Sequence, residues 1–153
     1  MTSKWDIRFL EMARFVSTWS KDPSTKCGAV IVRPDKTVAS IGYNGFARQM
    51  PDKPEWYADR EEKYSRVIHC EVNALIHAVE PVRGYSLYTY PFACCDRCIV
   101  QMIQSSLSKF VFPSPTKELL SRWEKSLDKT KQYMIECGVE FLEVPCEELI
   151  RAY

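Results

Sequence analysis

His69-Cys70-Glu71 and Cys95-Asp96-Arg97-Cys98 are the two stretches around which the rest of the chain is organised. They contain one imidazole and two well-spaced thiols, and nitrogen and sulfur donors of this kind suit zinc. A catalytic zinc has three protein ligands and one position for water, so the Glu71 carboxylate is left to move protons. Cys95 and Cys98 are three apart and share one face of a helix. If a helix begins at Cys95, its unpaired N–H groups and its dipole favour thiolate there.

Two other kinds of site are compatible with a Cys-x-x-Cys pair, namely a structural zinc site and a redox pair. A structural site needs four protein ligands, usually from two such pairs, but the sequence has no second pair and only one histidine besides His69. That residue, His77, is too far along the chain to bind the same metal, and we interpret it as structural. A redox pair requires neither His69 nor Glu71. A closed structural site with Cys94 as fourth ligand remains an alternative.

The composition predicts one soluble globular domain over residues 1–153, whose core buries about two-thirds of the unfolded surface. Hydrophobic residues make up 46% of the chain and charged residues 27%, and the formal net charge is +1. A dedicated nucleic-acid binder shows a strong basic excess, so we expect no nucleic-acid partner. We expect no membrane association either, because no apolar stretch approaches the ~20 residues of a spanning helix. Seven cysteines and the absence of an apolar leader favour reduced thiols in the cytoplasm.

Hydrophobic periodicity and turn residues predict alternating helices and strands along the chain. We predict helices over 5–19, 69–79, 95–106 and 115–138, a short helix after Pro145, and strands over 28–32, 37–43, 85–90, 107–112 and 139–144. The helix over 69–79 is predicted to be buried, and Ser114 is the expected cap of the helix over 115–138. Residues 46–66 are predicted as a long polar connection with helix at 59–64. The order implies an α/β fold with a mixed sheet covered on both faces.

Three further segments contain candidate ligand-binding residues. The polar loop 20–26 combines two lysines with three hydroxyl groups, so it is either a solvated connection or a phosphate-facing loop. Asn44 ends the predicted hairpin, where a turn residue needs no function, although its amide can both donate and accept a hydrogen bond. The connection 46–66 also contains cations available to an anionic ligand, although most such charges face water: Arg48, Arg60, Lys63 and Arg66.

Over nearly its whole length the chain resembles the zinc-dependent cytidine and deoxycytidylate deaminase superfamily, for which His-x-Glu followed by Cys-x-x-Cys is the motif. The matching stretches are Ser20-Lys21-Asp22-Pro23-Ser24-Thr25, Gly28-Ala29-Val30-Ile31-Val32, Gly42-Tyr43-Asn44-Gly45-Phe46, His69-Cys70-Glu71-Val72-Asn73-Ala74-Leu75 and Cys95-Asp96-Arg97-Cys98. Among them, the Lys21-Asp22-Pro23 loop, the Gly42-Tyr43-Asn44-Gly45 turn and Asn73 indicate the deoxycytidylate (dCMP) deaminase branch. The resemblance implies a cytidine-deaminase-like three-layer α/β/α sandwich with a mixed five-stranded sheet. It also implies hydrolytic deamination of dCMP to dUMP.

By this resemblance, zinc is the cofactor and Glu71 is the catalytic residue that moves protons. The implied metal ligands are His69, Cys95 and Cys98. The implied substrate contacts are the backbone amide of Cys70 with the base carbonyl, Asn44 with the sugar, and the carbonyl of Ala93 with the leaving amine. The loop 20–26 is the candidate phosphate site, with Lys21, Ser24 and Lys26 as its binding residues.

The sequence departs from the family pattern at two positions. Cys70 replaces the usual alanine, which leaves a contact through the backbone intact. Cys94 replaces the usual proline, so that three thiols fall within five residues. We select Cys95 as the ligand because Cys94-x-x-x-Cys98 does not have the expected spacing.

The resemblance also implies a homo-oligomer, most often a hexamer, with dCTP and dTTP as effectors. Trp56 and Trp123 fit either an interface or the core. Two other substrate ranges remain open: dCMP together with dCTP, or another nucleoside or base such as cytidine, guanine or adenosine in transfer RNA. The near-neutral charge weighs against RNA. A non-enzymatic structural zinc module is the third possibility, and it predicts four protein ligands and no bound water.

Overall fold

The computed structural model describes residues 1–151, so the last two residues of the predicted domain lie outside it. The strands are β1 (Gly28–Val32), β2 (Val38–Tyr43), β3 (Gly45–Phe46), β4 (Val67–Ile68), β5 (Ser86–Tyr90), β6 (Lys109–Pro113) and β7 (Glu140–Val144). The helices are α1 (Lys4–Ser17), α2 (Pro54–Ala58), α3 (Arg60–Arg66), α4 (Cys70–His77), α5 (Asp96–Gln104), α6 (Lys117–Glu136) and α7 (Cys146–Ile150).

A mixed five-stranded sheet in the order β2-β1-β5-β6-β7 lies at the centre of the fold. β1 is antiparallel to both β2 and β5, whereas β5, β6 and β7 are parallel to one another. All five residues of β1 are buried, because helices cover both faces of the sheet at this strand. The predicted mixed five-stranded sheet is confirmed.

Two hydrophobic clusters, one on each face of the sheet, complete the three layers. On one face, α1 and α7 pack against the strands through a cluster that includes Leu10, Val30 and Leu149. On the other face, α4, α5 and α6 cover the sheet through a cluster that includes Ile31 and Met102. Consecutive residues of β1 point to opposite faces, as the pleat requires. This arrangement is the predicted α/β/α sandwich.

Glycine at two strand positions lets a helix approach the sheet more closely than any residue with a side chain would allow. A Cβ on Gly28 would overlap the carbonyl oxygen of Ala13 in α1, and a Cβ on Gly42 would overlap the backbone of Cys70 and Ala74 in α4. Gly42 therefore has a packing role between β2 and α4. The side chain of Asn73 also joins these elements, by donating to the carbonyl of Tyr43 at 2.8 Å.

Two expectations about local structure are corrected. The connection 46–66 contains α2 as well as α3, and it runs between the two short strands β3 and β4, which pair with each other. The cap of α6 is Thr116, whose side chain accepts a hydrogen bond from Leu119 N–H. Ser114 is not the cap, because its N–H donates to the carbonyl of Val144 and extends the β6–β7 pairing.

The helix predicted to be buried over 69–79 is buried on one side only. Cys70, Glu71 and Ala74 face the protein, whereas Ile76 and Val79 are 62% and 96% exposed. The reason is that α4 packs on β2 near the edge of the sheet, where no further helix of the described residues 1–151 covers its outer side. Within the same range, no helix combines the length and the apolar character needed to cross a membrane.

Candidate active site

The starts of α4 and α5 meet on one side of the sheet. His69 is the N-cap residue of α4 and Cys95 is that of α5, and neither side chain caps its helix. Both side chains instead turn toward each other. His69 Nδ1 lies 3.5 Å from Cys95 Sγ and 3.2 Å from Cys98 Sγ. The ligand atoms of His69, Glu71, Cys95 and Cys98 all lie within 4.8 Å of one another, so the structure brings the four predicted residues together.

This cluster has the donor set and the charge that a zinc ion requires. The pKa of Cys95 is lowered, because the Cys98 thiol donates to its sulfur and His69 lies beside it; the same interaction raises the pKa of Cys98. Zinc binds cysteine as thiolate, so a thiol pair in which one pKa is lowered is suited to give up its protons to the metal. Glu71 adds a carboxylate that is only 4% exposed. Buried anions require a compensating positive charge, and the residues fit zinc.

The neighbouring thiols have different surroundings. Cys94 lies in the hydrophobic core, burial raises the pKa of its thiol, and its carbonyl accepts a hydrogen bond from Thr130 Oγ1 at 2.7 Å. Burial also raises the pKa of the Cys70 thiol, which donates to Glu71 Oε2 at 2.7 Å. Cys94 thus stays outside the cluster, in line with the choice of Cys95 from spacing. The roles of the four clustered residues as ligands and proton shuttle remain predictions.

A cavity leads from the cluster to the surface between the loop after α1, helix α3, the turn after β5 and helix α6. Of the predicted site residues, it is lined by His69, Glu71, Cys95, Cys70, Asn44, Ala93 and Ser24. Sequence reasoning did not identify Thr25, Tyr90, Phe92, Arg122 and Trp123 as site residues, although all five line the cavity. Arg122 and Trp123 come from α6, and no local pattern in the sequence indicates that this helix reaches the site.

Asn44 lines the cavity but uses its amide to hold the loop after α1. Its Oδ1 accepts from Cys27 N–H at 2.8 Å, and its Nδ2 donates to the carbonyl of Thr25 at 2.9 Å and to Asp22 Oδ2 at 3.4 Å. In addition, the hydroxyl of Ser20 donates to the carbonyl of Asn44. The observed contacts make Asn44 a positioning residue for this loop, and its contact with a sugar remains a prediction.

The two lysines predicted to bind phosphate do not line the cavity. Lys21 Nζ forms an ion pair with Asp52 at 2.7 Å, and Lys26 Nζ donates to the carbonyl of Ser20 at 2.6 Å. The structure thus places Lys21 and Lys26 away from the cavity and Ser24 at its lining, and a phosphate role for any of the three remains a prediction. The loop conformation depends on the buried Asp22 carboxylate, which accepts a hydrogen bond from the backbone N–H of Ser24. In this conformation Ser24 faces the cavity, whereas the two lysines do not.

Residues 3–114 match the family model of the cytidine and deoxycytidylate deaminase zinc-binding region. The chain belongs to this family. An uncharacterized deaminase in the luxG 3′ region of Aliivibrio fischeri is 36% identical to it over 149 residues, which cover 97% of this chain and 99% of that protein. Human deoxycytidylate deaminase is 32% identical over 117 residues, which cover 72% of this chain and 65% of the human protein. The chain thus spans slightly less than two-thirds of the human relative.

The fold of this deaminase is similar to that of the dCMP deaminase from cyanophage S-TIM5 in its crystal structure with dCMP and dUMP. The TM-score is 0.72 at 20% identity, over 94% of this chain and 99% of that chain. The resemblance stated from the sequence and the cytidine-deaminase-like fold are confirmed. Zinc is the cofactor of this deaminase, because the family is a zinc-binding one and the four clustered side chains fit the ion.

Proposed function

We propose that this deaminase hydrolyses dCMP to dUMP and ammonia. The observation that carries the proposal is the position of the buried Glu71 carboxylate beside the nitrogen and the two sulfurs, at the inner end of a cavity. The names of the animal relatives and the nucleotides in the cyanophage structure support dCMP as the substrate. Water and dCMP together contain the atoms of both products, so the reaction requires no redox partner.

Zinc, when bound to His69, Cys95 and Cys98, makes a water molecule nucleophilic at neutral pH. Glu71 then transfers the protons. Its carboxylate accepts a proton from the attacking water as oxygen adds to C4 of the pyrimidine, and it delivers this proton to N3. The carboxylate next takes the remaining proton from the hydroxyl on C4 and transfers it to the departing amine as the C4–N bond breaks, which leaves the C4 carbonyl of dUMP and free ammonia. The hydrogen bond from the Cys70 thiol to Oε2 holds the carboxylate in place for both transfers.

Backbone groups and aromatic rings around the cluster are suited to hold the base. Cys70 is the first residue of α4, where N–H groups have no acceptor within the helix, so its amide is available to the base carbonyl. Thr89 and Thr130 donate to the carbonyls of Phe92 and Cys94, and these bonds fix the turn that presents the Ala93 carbonyl to the leaving amine. Along the same cavity, the rings of Phe92 and Trp123 lie 5.6 Å apart and form an apolar wall.

The proposal is tested by measuring ammonia release from a panel of dCMP, dCTP, deoxycytidine, cytidine and guanine with zinc-loaded protein. We expect dCMP to have the highest kcat/KM and the zinc-depleted protein to be inactive. A higher kcat/KM for another nucleoside or base would replace dCMP as the substrate. No ammonia from any member of the panel, together with three sulfurs per zinc in X-ray absorption spectra, would instead indicate a structural zinc module.

We further propose that the deaminase is a homo-oligomer, a hexamer by the family resemblance, which dCTP and dTTP regulate. An exposed aromatic row supports an interface: the ring of Trp19 lies 5.5 Å from Phe15 and 6.1 Å from Tyr43. The exposed Ile76 and Val79 at the end of α4 add further apolar surface. Light scattering after gel filtration, with and without each nucleotide, tests this proposal, and a monomer at micromolar concentration would refute it.

We also propose a cytoplasmic location, because thiols must remain reduced to bind zinc. All seven cysteines are unpaired in the structure, which is the state that zinc binding by two of them requires. Subcellular fractionation of the tagged protein, followed by blotting, tests the location. Recovery in an oxidising compartment would contradict it.

A further inference from the structure

The predicted metal ligand Cys95 lies between two residues that helix α6 contacts through hydroxyl groups. Thr130 Oγ1 donates a hydrogen bond to the carbonyl oxygen of Cys94 at 2.7 Å. Ser126 Oγ accepts a hydrogen bond from Asp96 N–H at 3.1 Å and donates one to Asp96 Oδ1 at 2.7 Å. Two side chains of one helix therefore hold the residues immediately before and after Cys95.

These contacts hold both peptide groups that flank the Cα atom of Cys95. The Cys94 carbonyl belongs to the peptide group before this Cα atom, and the Asp96 N–H belongs to the peptide group after it. Each peptide group is planar, so its orientation sets one of the two backbone dihedral angles of Cys95. The two angles together determine the direction of the Cα–Cβ bond, and with it the region that the sulfur can reach.

Ser126 supplies a helix cap that Cys95 does not. Cys95 is the N-cap residue of α5, but its side chain makes no capping hydrogen bond, and its Sγ lies 3.5 Å from His69 Nδ1. The first N–H groups of a helix have no acceptor within the helix. Ser126 accepts from the first of them and donates to a side chain of the same turn, which is the reciprocal pattern of a capping box provided by another helix. The Cys95 sulfur is thus left available to a metal.

The two hydroxyl groups lie on one face of α6, because Ser126 and Thr130 are four residues apart. Thr130 is fully buried, where a hydroxyl group is costly unless it is hydrogen-bonded. Threonine within a helix commonly bonds a carbonyl of the preceding turn, whereas Thr130 bonds across to Cys94. Helix α6 begins at Lys117, after the segment 3–114 that matches the family model, so this support comes from a later part of the chain.

We propose that Ser126 and Thr130 are positioning residues that hold Cys95 in the geometry that zinc binding requires. Neither residue lines the cavity, so both act through the backbone of Cys94 and Asp96. This inference rests on Cys95 being a zinc ligand in the proposed function, and it does not depend on dCMP being the substrate. Removal of a partner that orients a metal ligand typically lowers metal affinity by about 10- to 100-fold.

The first test is zinc affinity, measured by competition between the zinc-loaded protein and a chelator. We expect Ser126→Ala to bind zinc about 10- to 100-fold more weakly than the wild type, and Ser126→Thr, which keeps the hydroxyl group, to restore the affinity. Ser121→Ala is the matched control, because Ser121 is an exposed serine of the same helix whose hydroxyl donates to the carbonyl of Glu118. Wild-type affinity in Ser126→Ala, or an equal loss in Ser121→Ala, would overturn the inference.

The second test uses Thr130→Val, which keeps the shape of the side chain but removes the hydrogen bond to Cys94. Thermal unfolding is followed at a series of buffered free zinc concentrations. A merely structural role lowers the melting temperature equally at every zinc concentration, whereas a weaker metal site raises the zinc concentration above which the melting temperature begins to rise. We expect this second effect in Thr130→Val, and its reversal in Thr130→Ser. An equal decrease at every zinc concentration would overturn the positioning role of Thr130.

Neither test requires turnover, so failure of this inference can be distinguished from failure of the proposed reaction. If Ser126→Ala and Thr130→Val weaken zinc binding but the wild type releases no ammonia from dCMP, the proposed reaction fails and the positioning role stands. If the wild type deaminates dCMP and both variants bind zinc as tightly as it does, the positioning role fails and the reaction stands.

Discussion

The backbone of Cys70 occupies the space that a side chain on Gly42 would need. A Cβ on Gly42 in β2 would overlap the Cys70 carbonyl oxygen and would lie 3.0 Å from the Cα atom of Ala74. Cys70 stands between His69 and Glu71, so the same contact that packs α4 on the sheet also sets the position of the metal cluster. A change at Gly42 therefore reaches the site through the helix backbone.

We predict that Gly42→Ala destabilises the protein by roughly 1–3 kcal/mol, the usual effect of inserting a methyl group into a well-packed core. Displacement of α4 should also lower zinc content and ammonia release. Urea unfolding and metal analysis measure these effects. Gly45→Ala is the matched control, because nothing lies within 4 Å of a Cβ at that position. Equal stability of the two variants would show that α4 can shift without strain.

We predict that Glu71→Gln retains zinc but loses about 10²–10⁴-fold in kcat, the range that general acid–base catalysis contributes. Glutamine keeps the shape of the side chain and removes its ability to accept and release a proton. Ammonia release and zinc content are measured on the same preparation. Glu118→Gln, in the first turn of α6 outside the cavity, should be fully active. Turnover by Glu71→Gln at the wild-type rate would exclude Glu71 from proton transfer.

We predict different metal contents for variants of the neighbouring thiols Cys94 and Cys95. Cys95→Ala should lose zinc, because its sulfur faces His69, whereas Cys94→Ala should keep it, because that thiol packs in the core. Cys94→Ala should instead lose a modest amount of stability, about 1 kcal/mol, because only one buried sulfur is removed. X-ray absorption of the wild type should count two sulfurs and one imidazole nitrogen per zinc. Zinc loss in Cys94→Ala would assign that thiol to the metal.

We predict that Asp6 contributes stability that depends on pH. Burial raises the pKa of Asp6, but hydrogen bonds from Ser3 and Tyr88 and the charge of Lys109 outweigh burial, so the pKa is lowered overall. Its contribution is therefore complete above the unfolded pKa of about 3.9 and is lost as pH falls through the lower folded value. Asp6→Asn should cost about 1–3 kcal/mol at pH 7, as for a buried hydrogen bond to a charged group.

The measurement is urea unfolding of wild type and Asp6→Asn from pH 7 to pH 3. Acid release of zinc affects both proteins alike, so the quantity to follow is the difference between them. This difference should be constant down to about pH 4 and shrink below it. Asp128→Asn, on the exposed side of α6, should match the wild type throughout. A difference between Asp6→Asn and wild type that does not change with pH would mean that Asp6 contributes packing and no charge.

Local patterns in the sequence were sufficient for the metal cluster and for the order of helices and strands. His69 and Cys95 stand where the chain enters a helix after a strand or turn, and hydrophobic periodicity locates such junctions within a few residues. The same patterns could not show which face of α4 is covered, because Ile76 and Val79 fit a buried helix as well as an exposed one. They also could not show the short pairing of β3 with β4, because two-residue strands leave no periodicity.

The part of the cavity away from Glu71 is lined by residues far apart in the chain, from the loop after α1 and from α6, so local patterns could not predict it. Lys21 and Lys26 were predicted to bind phosphate because charge and loop position are visible in the sequence, but Asp52 and Ser20 engage them in the structure. Arg122 was missed for the opposite reason. On a polar helix one arginine resembles every other cation, and only the packing of α6 against the turn after β5 brings it to the cavity.

The uncapped starts of α4 and α5 couple metal binding to the stability of the protein. His69 and Cys95 occupy positions where serine or aspartate would ordinarily cap the first turn, and a zinc ion bound to both side chains would instead fix the two helix starts relative to each other. Loading then raises the melting temperature in proportion to the logarithm of free zinc. A cell short of zinc would hold less of the folded protein as well as less active enzyme, and turnover of the empty chain by proteases would link its abundance to metal supply.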